Sequence, residues 1–275
     1  MRYFIYLLLT VALNAQTYTV FSRETGCLAH WVLDSTYAAY KGKYVLYDYS
    51  GNGNDLVFAS SGDDYTAKLT ADNSFIPSGM VIDPVPANLD RLILSGSAAD
   101  FADIDENESL TIIGRHKWEG STKQFIGNRL NTTTGNIGWL LEQRSGGVFR
   151  FYFSDGTNVV NGAAVSTGIS NDAAGTWAVV LDRSTELTRV YANGDSVGVN
   201  DWSAETVGSL VTSAAFTIYN NGALSGAYTD SPVYELQIYN VALTTDQISA
   251  IMSNQEVVNA TRRKKCSGFN GWNKY

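Results

Sequence analysis

From Leu28 to Asn240 the chain repeatedly alternates apolar and polar positions with a period of two, and near its C-terminal end the period lengthens once to that of a helix. Trp177, Val179 and Leu181 share one side of residues 176–182, and Phe149, Phe151 and Phe153 share one side of 148–153. In 233–240, Leu236 and Ile238 take one side while Gln237 and Tyr239 take the other. Successive side chains of a strand point to opposite faces, so each segment predicts a strand with one face against a core. The same reading places strands at 28–34, carrying Trp31, Val32 and Leu33, and at 56–59, 92–94, 109–113, 124–127, 139–143, 187–192 and 216–219. Ser145, Gly146 and Gly147 turn the chain between two of them, and Asn193-Gly194 is a strong two-residue hairpin signal. Pro77, Pro84 and Pro86 leave 76–89 as loop with at most one short strand.

The helix is written locally. Thr244 is placed as N-cap, and Gln247 closes a capping box with it. Leu243 and Ile248 are positioned as a hydrophobic staple, and Ile248, Ile251 and Met252 recur at helical spacing. Such a helix needs an apolar surface to lie on. Many strands and one short C-terminal helix specify an all-β fold.

Two loops concentrate oxygen donors. Asp48-Tyr49-Ser50-Gly51-Asn52-Gly53-Asn54-Asp55 reads first as a turn, with glycines supplying positive φ and Asx and Ser side chains bonding their own backbone. The alternative is a calcium site on Asp48, Asn52 and Asn54, since hard cations take six to eight oxygens. Turn chemistry is favoured, because EF-hand spacing is absent. The second loop holds Asp103, Asp105, Glu106 and Glu108. Paired carboxylates are what glycoside hydrolysis uses, but Glu106 and Glu108 run straight into Ser109 with no apolar strand positions between them. His30 and His116, the chain's two histidines, have no nucleophile motif beside them, so no catalytic residue is assigned. No ligand-contacting residue is assigned either, because Trp31, Trp139, Trp177 and the three phenylalanines of 149–153 read as core.

A net charge of −8 and a pI near 4.7 argue against nucleic acid as a partner, since phosphate contacts need clustered Lys and Arg. The basic run Arg262-Arg263-Lys264-Lys265 sits in a C-terminal tail. Residues 1–15 resemble a secretory signal, with Arg2 at the positive end, Tyr3 to Leu13 apolar, and cleavage after Ala15. The apolar stretch is short for a bilayer, so no transmembrane anchor is expected. Cys27 and Cys266 flank the globular part and form a candidate disulfide, one that would contribute roughly 4 to 5 kcal/mol in the entropic picture. Asn107, Asn131 and Asn259 head glycosylation sequons.

Several of these stretches, in order, resemble laminin G-like domains of the concanavalin A-like lectin/glucanase superfamily. They are Trp31 with Asp34, the Asp48 to Asp55 turn, Trp177 followed by Tyr191, Asn193 and Gly194, and Glu235 to Asn240 with Ala242, Leu243, Thr244 and Ile248. Tyr234 and Tyr219 stand where the family often has aspartate and glycine. The resemblance implies a jelly-roll sandwich over 28–254, with a lead-in at 16–27 and a polar basic tail at 255–275. It implies a secreted, non-catalytic binding module that meets a glycan or an extracellular or cell-surface protein through its loops. A structural or adhesion component of a virion or cell-surface appendage is the alternative, and a glycoside hydrolase the weaker one.

Overall fold

The structure, a computed structural model, describes residues 17–21, 24–33, 38–40, 43–59, 69–71, 80–82, 91–94, 103–118, 120, 122–129, 135–219, 231–253 and 255–259. The stretch read as an export signal, Asp34, Asn131 and Cys266 lie outside them. In chain order the strands begin with β1 (Thr17–Phe21), β2 (Cys27–Val32), β3 (Ala38–Tyr40), β4 (Lys43–Leu46), β5 (Leu56–Ala59), β6 (Leu69–Ala71), β7 (Met80–Ile82) and β8 (Arg91–Leu94). They continue with β9 (Leu110–Lys117), β10 (Lys123–Gly127), β11 (Ile137–Arg144), β12 (Val148–Asp155), β13 (Val159–Asn161), β14 (Val165–Ser166), β15 (Ala174–Asp182), β16 (Leu187–Ala192), β17 (Asp195–Asp201), β18 (Thr217–Ile218) and β19 (Val233–Tyr239). Helix α1 (Thr245–Ser253) and β20 (Gln255–Asn259) follow.

Two antiparallel sheets form the body. One has six strands in the order β17-β16-β15-β9-β19-β2, and the other has ten, ordered β13-β12-β11-β10-β18-β8-β5-β4-β3 with β14 beside β12. Their inner faces share one core. Trp177, Val179, Leu181, Leu236 and Ile238 come from the first sheet, and Trp139, Leu141, Phe149, Phe151 and Phe153 from the second. Alternation therefore places the aromatics between the layers, as the sequence requires. Several aromatic pairs in this core meet at tilted or edge angles that suit their quadrupoles, such as Phe149 and Trp177 at 4.7 Å and Trp118 and Phe149 at 4.5 Å. The Asn193-Gly194 hairpin has φ of 52° and 94°, the positive pair expected of a primed turn.

His116 belongs to this aromatic core. Its ring is fully buried, 4.4 Å from Trp118 and 4.8 Å from Phe125. Burial pushes the imidazole down to about 3, with the Gln143 side chain opposing only in part. Below pH 6.5 the unfolded chain binds a proton that the folded chain refuses, so stability declines as pH falls from 6.5 toward 3. In His116→Phe this part of the acid sensitivity disappears, which urea titrations at pH 7 and pH 4.5 read directly.

Helix α1 lies on the outer face of the six-stranded sheet. Ile248, Ile251 and Met252 pack with Ile113, Ala178, Val180, Tyr191 and Tyr239 in a second core. The helix start is capped as its sequence specifies. Thr244 N donates to Gln247 Oε1 at 2.9 Å and Gln247 N donates to Thr244 Oγ1 at 3.3 Å. Thr244→Ala should cost about 1 kcal/mol in chemical denaturation.

Two features differ from the sequence reading. Gln237 and Tyr239 do point away from the main core, yet every residue of β19 is buried. Residues 255–259, read as part of a polar tail, form β20 and pair antiparallel with β1 in the lead-in, Thr17 opposite Asn259 and Phe21 opposite Gln255. The two ends of the described chain thus meet in a two-stranded ladder outside the sandwich.

Candidate functional site

The Asp48 loop is fastened to β2. Asp48 Oδ1 accepts the backbone N–H groups of His30 (2.9 Å) and Ser50 (2.8 Å), and Oδ2 accepts Ser50 Oγ (2.7 Å) and Asn54 N (3.0 Å). Asn52 Nδ2 donates to the Cys27 and Leu28 carbonyls, and Asn54 Nδ2 donates to the Leu28 carbonyl. Trp31 Nε1 reaches Asn54 O at 2.7 Å. Gly51 and Gly53 carry φ of 91° and 81°. The structure brings Asp48, Asn52 and Asn54 together, but the carboxylate oxygens already hold four donors and both amides turn nitrogen toward backbone oxygen. This donor set does not fit calcium, which needs free oxygens. Among the described residues no group of three His, Cys, Asp or Glu could hold a metal ion. Cys27 opens β2 with its Sγ 3.4 Å from Ala29 O.

The acidic stretch 103–108 also works locally. Asp103 Oδ1 accepts Asn128 Nδ2 and Thr212 N, both at 3.2 Å. Asp105 Oδ1 accepts Ser209 Oγ at 2.9 Å, and Asp105 N donates to Glu108 Oε2 at 3.0 Å. These carboxylates close a surface turn and tether neighbouring loops. They do not rise from facing strands. His30 lies buried on the outer face of the six-stranded sheet, its Nε2 2.6 Å from Glu235 Oε1, while Arg115 Nη1 approaches Glu235 Oε2 at 3.4 Å. That cluster is buried by the fold, so it offers no surface to a ligand.

The outer face of the ten-stranded sheet is different. Since Phe149, Phe151 and Phe153 point inward, Val148, Arg150, Tyr152 and Ser154 take the opposite face of β12. The β11–β12 register sets Glu142 opposite Arg150, Leu140 opposite Tyr152 and Arg144 opposite Val148. Glu142 Oε2 accepts Arg144 Nε at 2.7 Å and Tyr152 Oη at 3.2 Å. The Arg150 guanidinium stands over the Tyr152 ring, 5.0 Å from its centroid, and its Nε donates to Gly162 O at 2.9 Å. Glu142 and Tyr152 form a buried floor, and Arg144, whose side chain is 36% exposed, rises at the surface. Hydrogen bonding to Glu142 holds the Arg144 guanidinium above its usual range, and burial raises the Tyr152 hydroxyl, so both keep their protons at neutral pH. Buried Arg129 adds to the positive field. Burial lowers it to about 10, opposed by Tyr152, which leaves it charged.

The turn between the strands is built for this hairpin. Gly146 and Gly147 have φ of 74° and 68°, and a Cβ on Gly147 would come 1.8 Å from Ile169 O. Sequence reading missed Glu142, Arg144, Arg150 and Tyr152 because each occupies an ordinary outward strand position. The signal was available in the hairpin, since pairing across the turn puts 142 against 150.

Residues 96–249, more than half of the 275-residue chain, match a laminin G family model of the concanavalin A-like lectin/glucanases superfamily. No curated protein sequence matches. Among solved structures, the binding domain of Paraclostridial Mosquitocidal Protein 1 superposes with a TM-score of 0.57 at 12% identity, over 82% of this chain and 52% of that one. A Trypanosoma rangeli sialidase in complex with sialic acid superposes with a TM-score of 0.52 at 12% identity, over 84% of this chain and 33% of that one. A Ruminococcus gnavus IT-sialidase CBM40 gives a TM-score of 0.41 at 16% identity, over 55% of this chain and 92% of that one. The chain spans about half the length of the first and a third of the second. With two stacked antiparallel sheets, one short helix and this match over more than half its length, the chain belongs to the laminin G-like family of the concanavalin A-like superfamily.

Proposed function

We propose that this protein is an exported, non-catalytic carbohydrate-binding module whose ligand meets the outer face of the ten-stranded sheet at β11 and β12. One observation carries the reading: Glu142, Arg144, Arg150 and Tyr152 form a bonded polar array, two strands wide, on the face opposite Phe149, Phe151 and Phe153. Sugar hydroxyls are met by a few oriented polar groups on a rigid frame. Membership of a lectin-like superfamily supports the class of ligand, and the local use of Asp103, Asp105 and Glu108 supports a role without hydrolysis. The Asp48 loop acts as a structural turn, so binding does not depend on calcium.

A glycan array probed with the exported chain, in calcium and in EDTA, tests this. The expected result is retention of at least one glycan class to the same extent in both buffers, with no product released from it. Failure to retain any glycan would remove the reading, and loss of binding in EDTA would return the Asp48 loop to the site. Export itself predicts a mature N-terminus at Gln16, which intact-mass measurement checks.

A further inference from the structure

We infer that the ligand of this face carries a carboxylate, as a sialoside or uronoside does, and that Arg144 and Arg150 grip it with their terminal nitrogens. The inference rests on the reading of the outer sheet face as a glycan site and narrows it. Both arginines are anchored at Nε, Arg144 to Glu142 Oε2 and Arg150 to Gly162 O. The hydrogen bonds that hold the two side chains among the described residues are made at Nε, and Tyr152 lies against both guanidinium groups, through its hydroxyl at Arg144 and its ring at Arg150. An arginine anchored in this way presents a planar, pre-oriented fork, the geometry that matches a carboxylate through two parallel hydrogen bonds. Less rotamer freedom is lost on binding, because the fold has already fixed each side chain.

Charge points the same way. The chain as a whole carries a net charge of −8. On this face, however, the charged groups acting on Tyr152 are Glu142, Arg150 and Arg144, with the Arg129 charge also within its reach. The guanidinium groups thus outnumber the carboxylate in an otherwise acidic protein, which is a field for an anion. Glu142 spends Oε2 on Arg144 and Tyr152, and its Oε1 has no hydrogen bond among the described residues. That oxygen is placed to accept a hydroxyl from the same sugar, so the site offers donors for the acid and an acceptor for its ring substituents. A sulfate or phosphate group can also meet each fork through two of its oxygens, so the sulfated disaccharide is the competing ligand in the test.

Titration calorimetry of the full chain with 3′-sialyllactose, a glucuronic acid disaccharide, lactose and a sulfated heparin disaccharide separates the possibilities. The expected order is tightest binding to one of the carboxylated sugars, with lactose weaker by roughly 10-fold or more. Arg144→Gln and Arg150→Gln should each weaken the carboxylated ligand by roughly 10- to 100-fold and weaken lactose by much less, so that the preference for the acidic sugar collapses. Arg144→Lys keeps the charge without the fork and should recover only part of the loss. Circular dichroism melts of each variant establish that it is folded, and Arg150→Gln with Arg144→Lys carries the test if Arg144→Gln is not. Equal affinity for lactose and the acidic sugars, preference for the sulfated disaccharide, or arginine variants without effect would overturn the inference while the glycan-binding reading stands. No heat from any sugar would remove both.

Discussion

Glu235→Ala is expected to lose about 3–5 kcal/mol of folding stability, because it removes the carboxylate that two buried basic side chains share. Glu235 is 3% exposed, His30 1% and Arg115 2%. One carboxylate oxygen takes His30 Nε2 at 2.6 Å and the other faces Arg115 Nη1 at 3.4 Å. Burial lowers the Arg115 guanidinium and the Glu235 charge opposes that, so the pair maintains a cation in a place that water does not reach. With a domain's total stability at about 5–15 kcal/mol, the variant would sit near the edge of folding. Glu235→Gln keeps a hydrogen-bonding oxygen and should lose less. Guanidinium denaturation of both variants measures the effect, and a loss below about 1 kcal/mol in Glu235→Ala would mean that the cluster is already relaxed by water.

Trp177→Ala should lose a similar amount, about 3–5 kcal/mol, through a different cause. Its indole is completely buried at the meeting of the two sheets, 4.7 Å from Phe149, 5.8 Å from His116 and 6.0 Å from Phe125. The neighbouring strand has made room for it. A Cβ on Gly114 would lie 2.4 Å from Trp177 Cζ2, so the glycine is required by close approach. Truncation leaves a cavity that rigid β-strands fill poorly. Gly114→Ala tests the same contact from the other side, since it overfills the site that Trp177→Ala empties. The double variant should therefore be more stable than the sum of the two losses implies. Additive losses in a double-mutant cycle would contradict this packing account.

The sequence exposes the fold wherever one face of a strand is wet and the other dry. That condition holds along β12, where Phe149, Phe151 and Phe153 identify the inner face. It fails along β19. There Tyr239 is covered by α1, Glu235 is enclosed with His30 and Arg115, and polar letters no longer mean solvent. The helix itself is legible to the residue, because its capping box and staple are local devices read within a few positions. The pairing of β1 with β20 is not, since each strand is short and its partner lies at the other end of the chain. Tyr219 shows why the family's glycine is favoured at that place: φ there is 73°, a left-handed conformation that costs a tyrosine more than a glycine. Its hydroxyl receives Val233 N at 3.3 Å, a contact that glycine could not make.

For the site, residue types offered the oxygen-rich Asp48 turn as a calcium alternative beside the favoured reading as a turn. In the structure the Asp48 carboxylate is bonded by three backbone N–H groups and the Ser50 hydroxyl. The arginine face is built from residues that look like unremarkable outward strand positions, and only the register of the hairpin assembles them. Amide chemical-shift mapping during titration with 3′-sialyllactose addresses this assignment most directly. The account predicts shifts concentrated between Leu140 and Tyr152, greatest around Glu142, Arg144 and Arg150. Shifts confined to residues 48–55, or none beyond the C-terminal strand ladder, would contradict it.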